Sequence, residues 1–191
     1  MRKVGPALQP VLAAVFGVRR AWYHVRYPRV EIGPGVLLIG RLKVRHGTRV
    51  RIGAHARIRQ TVVIRGGGEV EIGEHTLLNG CWIGARRRVS IGPWCLVSDC
   101  GITDSDFHNL PPRQRHEPAG AKALAPVTIG RNVWVGASAL VLKGSVIGDD
   151  SVVGAGAVVR GTVDAGVVVA GNPARVVKTF APEERTQGRT E

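Results

Sequence analysis

The stretch Gly101 to Arg115, GITDSDFHNLPPRQR, gathers two aspartates, a histidine, an asparagine and two arginines. Such a set can move a proton. A neutral imidazole is the natural general base near pH 7. A carboxylate that hydrogen-bonds its far nitrogen fixes the tautomer and the ring orientation. His108 is the candidate base, and Asp104 or Asp106 is the candidate orienting group. His116, in RQRHEP of the same segment, is a candidate for a second role against substrate.

These residues interrupt a repeat, and the repeat must position them. The tetrad Val-x-Ile-Gly begins at Val30, Val50, Val70, Val89 and Val127, at intervals of 20, 20, 19 and 38. A finer period runs inside it. Ile129, Val135, Val141, Ile147, Val153 and Val159 are spaced six apart. Four residues after each of the first five stand Val133, Ala139, Ser145, Ser151 and Ala157. Each hexapeptide supplies one short strand and one turn. The β-branched residue enters a narrow core, the small residue fills the inside of a corner, and Gly eases the turn. Three edges close a coil of roughly eighteen residues, and coils stack by parallel pairing. The extra one or two residues in the 19- and 20-residue intervals are expected in bulges. Gly at 26 residues and aromatics at 5% suit the same architecture.

The expected organisation is an all-β parallel β-helix over residues 30–172, with a loop at 104–126. Residues 1–29 form an N-terminal helix and lead-in, and residues 173–191 a C-terminal tail in which ARVVKTF is a covering strand and the last ten residues fray. Leu8, Val11, Leu12, Val15, Val18 and Trp22 fall on one helical face. That helix either caps the scaffold or lies on a membrane surface with its basic flanks near lipid phosphates. Its apolar run is far shorter than the ~20 residues of a span.

The formal charge is +13, from 27 Lys and Arg against 14 Asp and Glu. The excess is concentrated: residues 1–65 hold fourteen basic residues and one acid, Glu31. Such a field favours phosphate groups or an acidic membrane, or is simply a solvated face. No stacking-aromatic pattern or recognised motif supports nucleic acid as the partner. Cys81, Cys95 and Cys100 are odd in number and form no CxxC, so they are expected as buried thiols in a cytoplasmic protein. No HxH or HxxxH pair occurs, which argues against a zinc site of three histidines and leaves no metal expected.

PVTIGRNVWVGASALVLKGSVIGDDSVVGAGAVV followed by VVAGNPARVVK resembles the C-terminal half of hexapeptide-repeat acyltransferases. These include galactoside and maltose O-acetyltransferases and the enzymes that O-acetylate polysaccharides and lipid-linked sugars. DSDFH and LLNGCWIG add to the resemblance, which covers roughly residues 30–180. It implies a left-handed helix, a homotrimer with sites between subunits, and acetyl-CoA as co-substrate. It implies a sugar or polysaccharide-precursor acceptor, with His108 as catalytic base and Asp106 beside it. By motif, Asn79 would contact the acceptor, about one and a half coils before His108 and within reach of the same edge. Relatives of the galactoside type use an Asp in the next coil, where this chain has ARRR at Ala85 to Arg88, which hints at an anionic acceptor. Ala137 and Ala155 would offer backbone to the coenzyme, and Arg160, Arg175 and Lys178 would meet its phosphates. Trp134 would line the cleft or pack in the core. A non-catalytic scaffold with the same fold is the alternative, and serine acetyltransferases are a rival within the class that carry a longer helical N-terminal region.

Overall fold

The computed structural model describes residues 9–186. It is a left-handed parallel β-helix in which each coil gives one strand to each of three faces. The first face stacks seven strands, from Val30–Ile32 through Arg49–Ile52, Glu69–Ile72, Arg88–Ile91, Val127–Ile129 and Val146–Ile147 to Thr162–Val163. The second runs from Leu37–Leu38 to Val167–Ala170 and the third from Arg41–Val44 to Val158–Val159. The register follows the tetrad: Val30 pairs with Val50, Val50 with Val70, Val70 with Val89, and Val89 with Val127.

The core is the column of β-branched anchors. Ile129, Val135, Val141, Ile147, Val153 and Val159 are all at most 1% exposed. Truncating such a side chain to Ala costs about 2–5 kcal/mol, because a close-packed prism cannot collapse around the gap. The small residues do fill the inner corners. Two are serines, and each is satisfied: Ser145 Oγ donates to Leu142 O at 2.7 Å and Ser151 Oγ to Asp164 O at 2.8 Å. Cys95 lies inside the first corner, whereas Cys81 and Cys100 lie inside the second; all three are free and buried. The extra residues of the early coils are taken up as longer strands rather than as bulges. Thr61–Arg65 has five residues, whereas its counterpart Val158–Val159 has two.

Outside the core the turns also stack. At the first corner His55, His75 and Trp94 adopt left-handed φ of 58°, 57° and 63°. Their rings lie on one another, with centroids 5.0 Å apart for the histidines and 4.0 Å for His75 and Trp94. On the first face Arg49, Arg51 and Arg88 pair with Glu69, Glu31 and Glu71 across successive strands. Much of the basic excess on that face is thereby neutralised.

Helix α1 (Gln9–Arg26) covers the N-terminal end. Tyr23, 4% exposed, enters the core, and its hydroxyl accepts the Leu42 N–H at 2.9 Å. This satisfies a backbone donor at the open end of the prism. The stripe foreseen as one apolar face is not the one that packs: Val15, Val18 and Trp22 are 55%, 73% and 55% exposed. Leu8 lies outside the described residues, as do the side chains of Val11 and Leu12. The aromatic hydroxyl decides the matter, because only Tyr23 can both fill the end and pair with Leu42. No described helix is long and apolar enough to cross a membrane. At the other end Arg175–Thr179 pairs antiparallel with Val167–Ala170 and closes the second face. Residues 187–191 of the foreseen frayed tail lie outside the described residues.

Candidate active site

The loop leaves the third corner, between the third face and the first. Its root is held by Asp104, which is completely buried. Its carboxylate accepts three consecutive backbone N–H groups, from Arg86 at 2.8 Å, Arg87 at 2.6 Å and Arg88 at 2.7 Å. A buried charge persists only when its lone pairs are filled in this way. Asp104 therefore anchors the turn beneath it and does not orient His108. The two ends of the loop meet in a bridge between Ser105 and Leu124, with Asp106 N–H donating to Ala123 O at 3.0 Å.

Lys143, from the coil above, clasps this root. Its ammonium donates to Asp106 Oδ2 at 2.6 Å and to Lys122 O at 2.8 Å. The Asp106 carboxylate is thus occupied by Lys143, and it meets His108 only through its backbone, where His108 N–H donates to Asp106 O at 2.7 Å. The tip is folded around Asn109. Its amide nitrogen reaches Gln114 O at 2.9 Å, Glu117 O at 3.2 Å and Pro118 O at 3.1 Å, while its oxygen accepts the Gly120 N–H at 3.1 Å. One side chain thereby replaces the secondary structure that the loop lacks.

His108 is exposed, and among the described residues no group hydrogen-bonds its ring. Together with Asp106, Asn109, Leu110, Arg115 and His116 it lines a cleft of about 360 Å³. His108 and His116, eight residues apart in the loop, are brought to one cleft by the fold around Asn109. An unpaired imidazole at the edge of a cleft, on a root pinned from below by Asp104 and from above by Lys143, is free to take a proton from a bound hydroxyl.

The remaining foreseen residues gather at the second corner, between the second and third faces. Asn79 ends the strand Leu77–Asn79 there, and its Nδ2 donates to Asp99 Oδ2 at 3.3 Å. Ala137 and Ala155 are exposed on later coils of that same corner. Trp134, on the adjoining second face, is 52% exposed, so it lines the surface and is not core. Arg175 and Lys178 lie on the closing strand, where Lys178 also contacts Glu184 at 3.1 Å. Arg160 follows Val158–Val159 and so stands at the third corner, with the loop. Asn79 therefore does not share an edge with His108 in one chain, as the coil count had suggested. The two stand on opposite borders of the third face.

Two residues that hold this site were given no role by the sequence reading: Asn109 and Lys143. Asn109 carried a signal, since an Asn beside the candidate base in a Pro-rich loop is a turn former. Lys143 carried none, because its contact depends on the stacking of a coil thirty-seven residues further on.

Comparison with known proteins agrees with this architecture. Residues 126–161 match the family described as bacterial transferase hexapeptide (six repeats). Galactoside O-acetyltransferase of Escherichia coli K12 is 31% identical over 135 residues, 70% of this chain and 66% of the relative. The 2,3,4,5-tetrahydropyridine-2,6-dicarboxylate N-acetyltransferase of Clostridium perfringens is 48% identical over 66 residues, 35% of this chain and 27% of the relative. The matches thus span less than two thirds of these relatives' own length. Among solved structures, AntD, an N-acyltransferase from Bacillus cereus in complex with dTDP-4-amino-4,6-dideoxyglucose and coenzyme A, superposes with a TM-score of 0.67 at 19% identity, covering 81% of this chain and 86% of that one. The repeat, the left-handed coils, the single loop at the third corner and these likenesses agree: the chain belongs to the hexapeptide-repeat transferases.

Proposed function

We propose that the chain transfers an acetyl group from acetyl-CoA to a hydroxyl of a sugar or of a lipid-linked polysaccharide precursor. His108 is the general base. As the acceptor oxygen attacks the thioester carbonyl, its proton passes to the His108 ring, and the imidazolium returns it to the departing sulfur. A C–O bond forms, a C–S bond breaks, and the coenzyme leaves as a free thiol. Asp106 and Lys143 act as positioning residues that hold the loop root.

The site is completed between the subunits of a homotrimer. The split supports this: His108 and Arg160 stand on one border of the third face, while Asn79, Ala137 and Ala155 stand on the other. A second copy can bring one border against the other. The second corner suits an extended pantetheine arm. On its later coils the exposed residues Ala137, Ser138, Ala155 and Gly156 are small, and a Cβ added at Gly156 would meet nothing within 4 Å. Trp134 would flank the arm, and Arg160, Arg175 and Lys178 would face its phosphates.

We further propose peripheral contact with the cytoplasmic face of a membrane through α1. Val15, Val18, Trp22 and Val25 form one stripe, and Val18 and Val25 are 73% and 85% exposed. Arg41 and Lys43, which make no ion pair among the described residues, border the groove beside that stripe. Apolar and cationic groups side by side suit an anionic bilayer surface.

The unpartnered His108 ring in its cleft carries the enzymatic reading. The test is acceptor-dependent thiol release from acetyl-CoA, with neutral sugars, amino sugars and sugar nucleotides, for wild type and His108→Gln. The expected loss is about 100-fold or more in kcat with coenzyme affinity retained. Equal rates for the two proteins would return the chain to a scaffold role. Transfer confined to amino groups would overturn the O-acetyl assignment.

A further inference from the structure

A second cleft, of about 330 Å³, lies at the third corner on the coils that precede the loop. His46, Arg65, Gly66, Gly84, Arg86 and Phe107 line it. Phe107 is the residue immediately before His108, so this cleft adjoins the one that holds the proposed base. Its construction is unlike ordinary surface. The floor carries no side chains. Gly66 has a φ of 127°, and a Cβ there would sit 2.2 Å from Ala85 O, so no other residue fits. A Cβ at Gly84 would come within 3.5 Å of the Phe107 ring. One wall is aromatic, the Phe107 ring, and Arg65 lies between it and Trp82, which does not line the cleft. The Arg65 guanidinium lies 5.8 Å from the Trp82 ring centre and 5.9 Å from that of Phe107. Phe107 holds a left-handed φ of 63°, a strained conformation for a bulky residue that the loop root must enforce.

The rim is cationic and contains no carboxylate. Arg65 and Arg86 make no ion pair among the described residues, whereas Arg49, Arg51 and Arg88 on the first face are all paired with glutamates. The Arg86 backbone is fixed by Asp104, so its side chain starts from a rigid point. Phe107 is 43% exposed, so part of its ring is open to a ligand beside Arg65.

We infer that this cleft is the acceptor's anion subsite: it takes a sugar ring bearing an oxyanion, phosphate or carboxylate. Arg65 and Arg86 hold the oxyanion, by forked N–H donors that match its geometry. Phe107 offers flat apolar surface to the ring's C–H face. A ring so held presents its hydroxyls toward the neighbouring His108 cleft. The inference rests on the acyl-transfer reading for the word acceptor, but binding itself does not require transfer.

The experiment therefore has two readouts. Calorimetry without acetyl-CoA measures a hexose 1-phosphate, a hexuronic acid and the parent neutral hexose against wild type, Arg65→Gln, Arg86→Gln and Phe107→Ala. Melting curves verify that each variant is folded. Kinetics with acetyl-CoA then give KM and kcat for whichever ligand accepts acetyl. The expected result is binding of an anionic sugar at least about tenfold tighter than the neutral one, weakened about tenfold by either arginine substitution. The tighter of the two anionic arms identifies phosphate or carboxylate. In turnover, the arginine substitutions raise KM and leave kcat unchanged. Arginine-dependent anion binding with no acetyl transfer keeps the cleft and refutes the reaction. Transfer with a KM indifferent to both arginines keeps the reaction and refutes the cleft. Equal affinity for neutral and anionic sugars, or no binding of any of the three, also overturns it.

Discussion

A carboxylate sealed from water beside three amide N–H groups is stable only while every one of those bonds is made. That is the situation of Asp104. Asp104→Ala leaves the turn at Arg86 to Arg88 with buried donors unsatisfied, and a loss of about 3 kcal/mol or more is expected in urea unfolding. Asp104→Asn keeps one acceptor oxygen and should lose less. If both variants unfold like wild type, the carboxylate is not the anchor described. The candidate base was legible in the sequence because the repeat stops where His108 appears. The division of labour between the two aspartates was not. Asp104 and Asp106 are two positions apart, and only the stacking of Arg86 to Arg88 beneath the first separates a buried anchor from a partner of Lys143.

At the scale of the element, the loop is a rigid appendage fixed at its root and at its tip. Lys143→Met removes the clasp on Asp106 and Lys122 while leaving the coils intact. The expected outcome is a fall in kcat/KM of about tenfold with only a small fall in melting temperature, since a single half-buried ion pair that water still reaches contributes on the order of 1 kcal/mol to stability. Hydrogen exchange should rise in residues 104–126 and nowhere else. An unchanged exchange pattern would show that Lys143 is dispensable to the loop. The coils themselves could be read directly, because the columns of Ile, Val and Ala repeat the contacts they make. Corner assignments could not. Intervals of 19 and 20 residues let a count drift, and Asn79 therefore falls on the opposite border of the third face from His108. The helix stripe was misread for a different reason: apolar spacing marks a face, but the need to cap Leu42 N–H chose the face that carries Tyr23.

The whole molecule is a stack in which each coil contacts only its neighbours, so stability is close to a sum along the axis. Its N-terminal end carries both the outward stripe of α1 and cations that the first face does not neutralise. The protein is expected to co-sediment with vesicles containing an anionic lipid, and to do so less in high salt or as Trp22→Ser with Val25→Ser. Equal sedimentation with purely zwitterionic vesicles would refute the electrostatic part. The three cysteines give a further expectation. Burial pushes Cys95 from its ordinary 9.0 to about 11 and Cys100 to about 12, and raises Cys81 as well. A raised thiol pKa means that the folded chain keeps protons the unfolded chain has released. Their contribution to stability is complete below about pH 9 and is lost as pH climbs towards 11 and 12. Melting temperature should therefore fall on the alkaline side, and less steeply after Cys95→Ala. The same enclosure makes the native protein silent to thiol-reactive dyes. Every coloured equivalent in a turnover assay then comes from released coenzyme, even at high enzyme concentration. Three further equivalents appear only when the prism opens, so the chain carries its own clock for unfolding.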